Sequence, residues 1–222
     1  MGSDGASSHP ASGGHRLARF ARGIRRPGGG DRAARSCDGL TGLLDRGSLA
    51  VEFPILVRRA CHEHTHVAVL VCDIDRFRQV NCEYGRSRGD SVLVAFSARV
   101  CETLRDTENA FRWGGEQFVV AAYGHDADEA RALAERLCAT VAARPIAGVS
   151  LTVSVGVALG HDLRDEADAL VEAATAALRQ AKRGGRGRVV VADALPGAAP
   201  AATVAVPRGG RLAPSPSPAP SR

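Results

Sequence analysis

No apolar run in this 222-residue chain approaches the roughly 18 residues that a membrane-spanning helix needs. The first 35 residues also lack the apolar stretch of a secretory signal, so the chain reads as a cytoplasmic protein without a membrane span. No C-x-x-C pair joins the six cysteines at 37, 61, 72, 82, 101 and 138. With no secretory signal they read as reduced thiols. Lysine is nearly absent: Lys182 stands alone among 29 basic residues, and all the others are arginine. A compact point charge among planar forks makes that residue worth following. Acidic residues are missing from 195–222 and nearly so from 1–35, while arginine is frequent in both. The net charge of +5 therefore belongs to the two ends, and 36–194 holds a slight acidic excess. A nucleic-acid-binding reading of that middle region loses its main support.

What remains is ordinary globular composition, 45% hydrophobic and 24% charged. Residues 1–35 are rich in Gly, Ser, Ala and Arg without apolar periodicity. They are expected to be a disordered basic tail, although an Arg-rich, acid-poor start also resembles an organellar transit peptide. Residues 194–222 end in a Pro/Ala/Ser segment that buries too little surface to offset its ordering entropy, and are expected to be disordered. The folded domain is expected over 36–193.

Within it, helices and strands alternate. The spacing predicts helices over 47–61 and 88–104, one from an Asp126 cap to about Ala143, and one over 165–182. Strands are predicted at 67–72, where a continuous apolar run stops at Asp73, and at 110–113, 118–123, 151–159 and 189–191. Gly114-Gly115 reads as the turn of a hairpin. The order gives an α+β domain of about five strands with helices on its faces.

Two features carry chemistry. In V-C-D-I-D-R-F, strand alternation places Asp73 and Asp75 on one side, around the carbonyl of Ile74. Hard oxygens at the mouth of a sheet suit Mg2+, especially where phosphates complete the shell. In R-W-G-G-E-Q-F, two glycines allow a tight turn and a close approach of polyphosphate to backbone amides. Glu116 follows, able to converge with Asp73 on a metal pair. His62, His64 and His66 share an i, i+2 spacing, with Cys61 adjoining, but read as solvated residues of a helix–strand connection rather than a metal site.

Five ordered blocks make the chain resemble the GGDEF family of bacterial diguanylate cyclases over roughly 36–193. They are D38-G-L-T-G-L-L-D-R46, D73-I-D-R-F-R-Q-V-N-C-E-Y-G-R-S-R-G-D-S-V-L93, G114-G-E-Q-F118, T152-V-S-V-G-V-A158 and A181-K-R-G-G-R-G-R-V189. The resemblance implies a palm-like nucleotidyl cyclase fold with a mostly antiparallel central sheet. It implies condensation of two GTP into cyclic di-GMP, with release of two pyrophosphates, by a homodimer carrying two Mg2+ per active site, or Mn2+ in their place.

By position, the resemblance makes Asp73, the Ile74 carbonyl and Glu116 metal ligands, with Glu116 also favouring loss of the hydroxyl proton. Asn81 and Asp90 would recognise guanine; a carboxylate accepts both N1–H and N2–H, which adenine does not offer together. Arg78, Lys182 and Arg186 would neutralise the triphosphate, with Gly114 and Gly115 beside it. Arg105 and Glu108 fall on the family's product-inhibition motif, with Glu108 in place of the usual Asp.

The chain departs from the family pattern at Gln117, where the signature carries a second acid, and at Cys82, Arg86, Arg179 and Gly187. Gln117 keeps the shape of Glu but removes one negative charge, so weakened metal binding is expected. A second reading therefore stands beside the cyclase: a GGDEF domain of low activity that binds GTP or cyclic di-GMP and signals through a partner. A third, another nucleotidyl cyclase on a similar fold, is weakened by the Asn81/Asp90 pair. Residues 1–35 are too few for the sensory domain that usually regulates the family, so a separate regulatory protein is a further candidate partner.

Overall fold

The structure is a computed structural model that describes residues 35–160 and 167–192. The expected tails lie outside the described residues, Arg35 aside. Six strands and five helices follow in the order β1 (Leu44–Asp45), α1 (Arg46–His62), β2 (Val67–Ile74), α2 (Phe77–Tyr84), α3 (Arg86–Thr103), β3 (Glu108–Gly114), β4 (Gln117–Tyr123), α4 (Ala127–Ala142), β5 (Val153–Gly160), α5 (Ala167–Arg183) and β6 (Val189–Val191). The sheet order is β1-β3-β4-β2-β5-β6. Its centre is antiparallel, with β2 between β4 and β5, and its two edge pairs are parallel.

The expected α+β class and helices on both faces are present. The count of about five strands becomes six, because two residues of β1 pair with Phe111 and Arg112. A stretch of two is too short for any periodicity to show. Helix α2 had no sequence prediction; Gly85 separates it from α3, and eight residues hold barely two turns of pattern. β2 runs on through Asp73 and Ile74, because Asp73 continues the ladder to both β4 and β5, and Ile74 the ladder to β5.

Every residue of β2 is buried, as expected of a central strand covered on both faces. Alternation divides it between two cores. Leu70, Cys72 and Ile74 pack with Val92, Phe96 and Leu133 beneath α3 and α4. Val67, Val69 and Val71 pack with Phe53, Leu56 and Leu178 beneath α1 and α5. The same parity places Asp73 on the α5 face, which decides what it meets.

Local chemistry fixes the helices around this sheet. The Asp45 side chain caps α1 by accepting from Ser48 N at 2.9 Å. Asp126 and Glu129 form the expected capping box on α4, at 2.8 and 3.1 Å. α5 lies directly on β5 because Gly156 has no side chain: a Cβ there would stand 2.0 Å from the Ala174 carbonyl oxygen and 2.3 Å from Leu178 N. That close approach aims the C-terminal end of α5 at the mouth of the sheet. No described helix is long and apolar enough to cross a membrane.

All six cysteines are free. Burial pushes the Cys72 thiol well above its ordinary range, with Cys138 and Asp73 adding to it. Cys101 and Cys138 are raised to about 11, again chiefly by burial.

Candidate active site

The site forms where β2 ends, the β3–β4 hairpin turns and α5 stops. Asp73 is directly opposite Gln117 on β4 and Ser154 on β5. Its side chain is 4% exposed, yet both oxygens have partners. Lys182 Nζ lies 2.7 Å from Oδ1, and Gln117 Nε2 donates to Oδ2 at 3.1 Å. The chain's single lysine is thus brought onto the carboxylate that the sequence marks for metal. The hairpin closes on the same strand end, with Ile74 N donating to the Glu116 carbonyl at 3.3 Å. The turn is Gly115–Glu116, one residue later than the expected Gly114–Gly115, because Gly114 still pairs with Gln117 at the end of β3. Both glycines have positive φ, 147° and 51°, where other residues are strained. Asp73, Ile74 and Glu116 therefore sit at adjoining strand ends.

Asp75 has a different role from the paired-carboxylate reading. It accepts from Ser154 Oγ at 2.7 Å, Thr152 Oγ1 at 2.8 Å and Gly187 N at 2.9 Å. These bonds fasten the turn after α5 to the ends of β2 and β5. Asp75 is a buried tie, 6% exposed, and its oxygens are committed to the protein. Gly187, a departure from the family's Asn, holds φ 57°, a left-handed conformation both residues accept. Its neighbour Arg186 is exposed, held on the same turn by a bond from its N–H to the Ala181 carbonyl at 3.1 Å.

Asn81 lies on α2 and Asp90 on the first turns of α3. The gap between them is closed by Gly89, where a Cβ would come 1.9 Å from Asn81 Oδ1. The missing side chain makes room for the Asn81 carboxamide against α3, and Asp90, the next residue, is exposed. Arg78 is also exposed, one turn earlier on α2.

Arg112 is the site residue that sequence reasoning missed. Its side chain is 10% exposed and its Nη1 lies 3.8 Å from Asp38 Oδ1. Its Nη2 donates to the Gly115 carbonyl, holding the hairpin turn. Burial pulls the guanidinium below its usual range, opposed by the charges of Asp38, Asp90 and Glu116. It thus lies in the field of both the candidate base-recognition carboxylate and the hairpin carboxylate. Asp38 is in turn held by Thr41, from N at 2.8 Å and Oγ1 at 2.6 Å. The only sequence signal was an arginine two residues before the glycines.

Arg105 and Glu108 lie at the far end of β3. Arg105 is exposed at a cavity of about 640 Å³ shared with Tyr123 and His125. Glu108 turns inward, its side chain 0% exposed. One oxygen accepts from Arg105 N at 2.7 Å, and the other lies 3.2 Å from His125 Nε2 and 4.0 Å from Arg136.

Residues 35–188 match the family described as diguanylate cyclase, GGDEF domain. The chain belongs to the GGDEF family. Diguanylate cyclase DgcM of Escherichia coli K12 is 37% identical over 160 residues, covering 70% of this chain and 38% of DgcM. The chain thus spans about two-fifths of the length of that curated relative. Among solved structures, the GGDEF domain of DgcB from Caulobacter crescentus in complex with c-di-GMP matches with a TM-score of 0.64. It is 28% identical, with 74% of this chain and 98% of that one covered. Diguanylate cyclase SiaD of Pseudomonas aeruginosa, in complex with its activator SiaC, matches at 0.65 and 30% identity, over 80% and 66% of the two chains.

The GGDEF assignment agrees with the donor chemistry. Two carboxylates and a backbone carbonyl at adjoining strand ends are hard oxygen donors that suit Mg2+, provided substrate and water complete the shell. Among the described residues no group of three or more His, Cys, Asp or Glu is placed to hold a metal by itself.

Proposed function

We propose that this GGDEF domain condenses two GTP into one cyclic di-GMP, releasing two pyrophosphates. The observation that carries the reading is the meeting of Lys182 with Asp73 at 2.7 Å, beside the Glu116 hairpin. A cation beside an anion at the end of a sheet is the arrangement a nucleoside triphosphate with divalent metal requires.

Asp73, the Ile74 carbonyl and Glu116 would hold the metal, two Mg2+ or Mn2+ per site. When bound, the metal polarises the phosphates and lowers the pKa of the attacking hydroxyl. The protein's own residues do the rest. Asp90 accepts from guanine N1–H and N2–H, and Asn81, seated by Gly89, completes base selection. Lys182, Arg186 and Arg78 neutralise the triphosphate, and the amides of Gly114 and Gly115 line its approach. Glu116 draws the proton from the 3′-hydroxyl. That oxygen forms a bond to the α-phosphorus of the second GTP, the α–β bridging P–O bond breaks, and pyrophosphate leaves with its electron pair. One domain positions one GTP, so the reaction needs a homodimer with two sites facing each other.

Chromatography of full-length protein incubated with GTP and Mg2+ tests the reading. Cyclic di-GMP is expected from the wild type and not from Glu116→Ala. Absence of product from both, at high protein concentration, overturns it.

A second reading rests on a specific observation. Gln117 supplies Asp73 with a hydrogen-bond donor where the signature usually carries an acid, which favours a domain of low turnover that binds GTP or cyclic di-GMP as a regulator. Product contact at the Arg105 motif would then run through Arg105, since Glu108 is committed inward. A separate activator protein, as in the SiaD–SiaC pair, fits either reading.

A further inference from the structure

Three candidates stand out beyond the proposed activity. The Arg105–His125 cavity belongs to the motif already discussed, and the groove of about 780 Å³ between α2 and the turn after α5 shares Arg186 with the substrate site. The third is the way Asp73 is held, and it carries furthest.

Gln117 and Asp73 are directly paired across β4 and β2. Facing a carboxylate, the Gln117 amide can present only its NH2, because its oxygen would meet another acceptor. Asp73 Oδ2 is therefore occupied by a donor, and Oδ1 by Lys182. A glutamate at 117 would instead set two like charges opposite each other, which is destabilising unless a cation lies between them. The two residue types thus have opposite effects: Glu makes the strand pair depend on metal, and Gln makes it complete without one.

We propose that Gln117 is a positioning residue that clasps Asp73 between its own amide and Lys182, so that a divalent cation must displace one of those partners to bind. A triphosphate that attracts Lys182 removes one of the two competitors, so cation loading follows nucleotide loading. The inference rests on the cyclase reading of the metal ligands. It differs from the simpler idea that Gln117 is only a poorer ligand, because the two ideas assign opposite signs to one substitution. Removing a clasp strengthens cation binding, whereas removing a ligand weakens it.

The test uses the full chain, Mn2+ as probe and the paramagnetic resonance signal of free Mn2+ as readout, with thermal melting in chelator alongside. Gln117→Met is expected to melt lower than wild type in chelator and to bind Mn2+ a few-fold more tightly. Gln117→Glu is expected to melt lower still and to bind Mn2+ at least about tenfold more tightly, the scale of one charge-assisted hydrogen bond exchanged for a ligand. The clasp is overturned if Gln117→Met binds Mn2+ no better than wild type, or melts identically in chelator. Asp73→Asn separates the two levels. If it leaves Mn2+ binding unchanged, the metal reading itself fails; if it abolishes binding while Gln117→Met shows no gain, only the clasp fails. Neither readout needs turnover, so a protein that makes no cyclic di-GMP can still support the inference.

Discussion

Asp73 and Glu108 occupy opposite ends of the same sheet, and both carboxylates are almost completely buried. Their partners differ. Glu108 is held by a backbone N–H three residues away at 2.7 Å and by the buried His125 of the β4–α4 connection at 3.2 Å, with Arg136 of α4 farther off at 4.0 Å. Asp73 is held by the tips of two long side chains, one of them 32% exposed. Backbone N–H groups and short, buried side chains make a buried acid structural, whereas long flexible partners leave it exchangeable for a ligand. Asp75, two residues from Asp73, shows the same contrast at the end of one strand. Its partners are two hydroxyls and a backbone N–H, and it ties elements together instead of serving substrate.

The largest expected effect breaks the exchangeable end. Asp73→Asn should lower cyclic di-GMP formation by about a thousandfold, the scale of losing a centre of charge stabilisation, with a smaller fall in melting temperature than Asp75→Ala gives. Product assayed by chromatography, beside a melting curve, checks both halves. A large fall in stability would place Asp73 with the structural acids.

Asp75→Ala should show the reverse emphasis. Three donors lose an ionised acceptor inside the protein, a cost of about 3 kcal/mol or more, visible in urea or thermal unfolding. Activity should fall too, because the turn carrying Arg186 loses its tie. A stable Asp75→Ala domain would refute the assignment.

How far the sequence anticipated this contrast depends on the range of the interaction. Strand alternation put Asp73 and Asp75 on one side as a local, period-2 reading, but β2 ends at Ile74, between them. Alternation could not separate their roles, because that depends on Thr152, Ser154 and Gly187, brought in by β5 and the turn after α5. The α4 capping box was legible because both of its residues lie within one turn. Arg112 was not: its partners Asp38 and Gly115 are united only when the first turn of the domain packs on the hairpin. α2 was missed because eight residues ending at a glycine resemble a loop, and Glu108 was placed with Arg105 in the product-inhibition motif because nothing local shows His125 beside it.

Gly89→Ala tests the substrate end more gently. The new methyl would meet Asn81 Oδ1 at 1.9 Å, so the carboxamide must rotate away from its place against α3. The expected result is about a tenfold rise in KM for GTP with a smaller change in kcat, as for a residue that binds ground and transition states alike. Initial rates against GTP concentration measure the split. An unchanged KM would remove Asn81 from base recognition.

The smallest expected effect concerns Glu108. Burial raises its pKa, but His125, the Arg105 N–H and the charge on Arg136 together outweigh that and hold it below its ordinary 4.5. The folded state therefore binds this proton less readily than the unfolded chain. Its contribution to stability is complete above 4.5 and is lost as pH falls through the lower folded value. Glu108→Gln removes that proton linkage, so its melting temperature should fall less steeply than the wild type's from about pH 6 to pH 3. Some slope should persist, because Asp38 is also held below its ordinary 3.8: burial raises it, and the bonds from Thr41 with the charge of Arg112 more than compensate. Parallel curves for the two proteins would mean that Glu108 leaves its inward position in solution, and would return it to the surface beside Arg105.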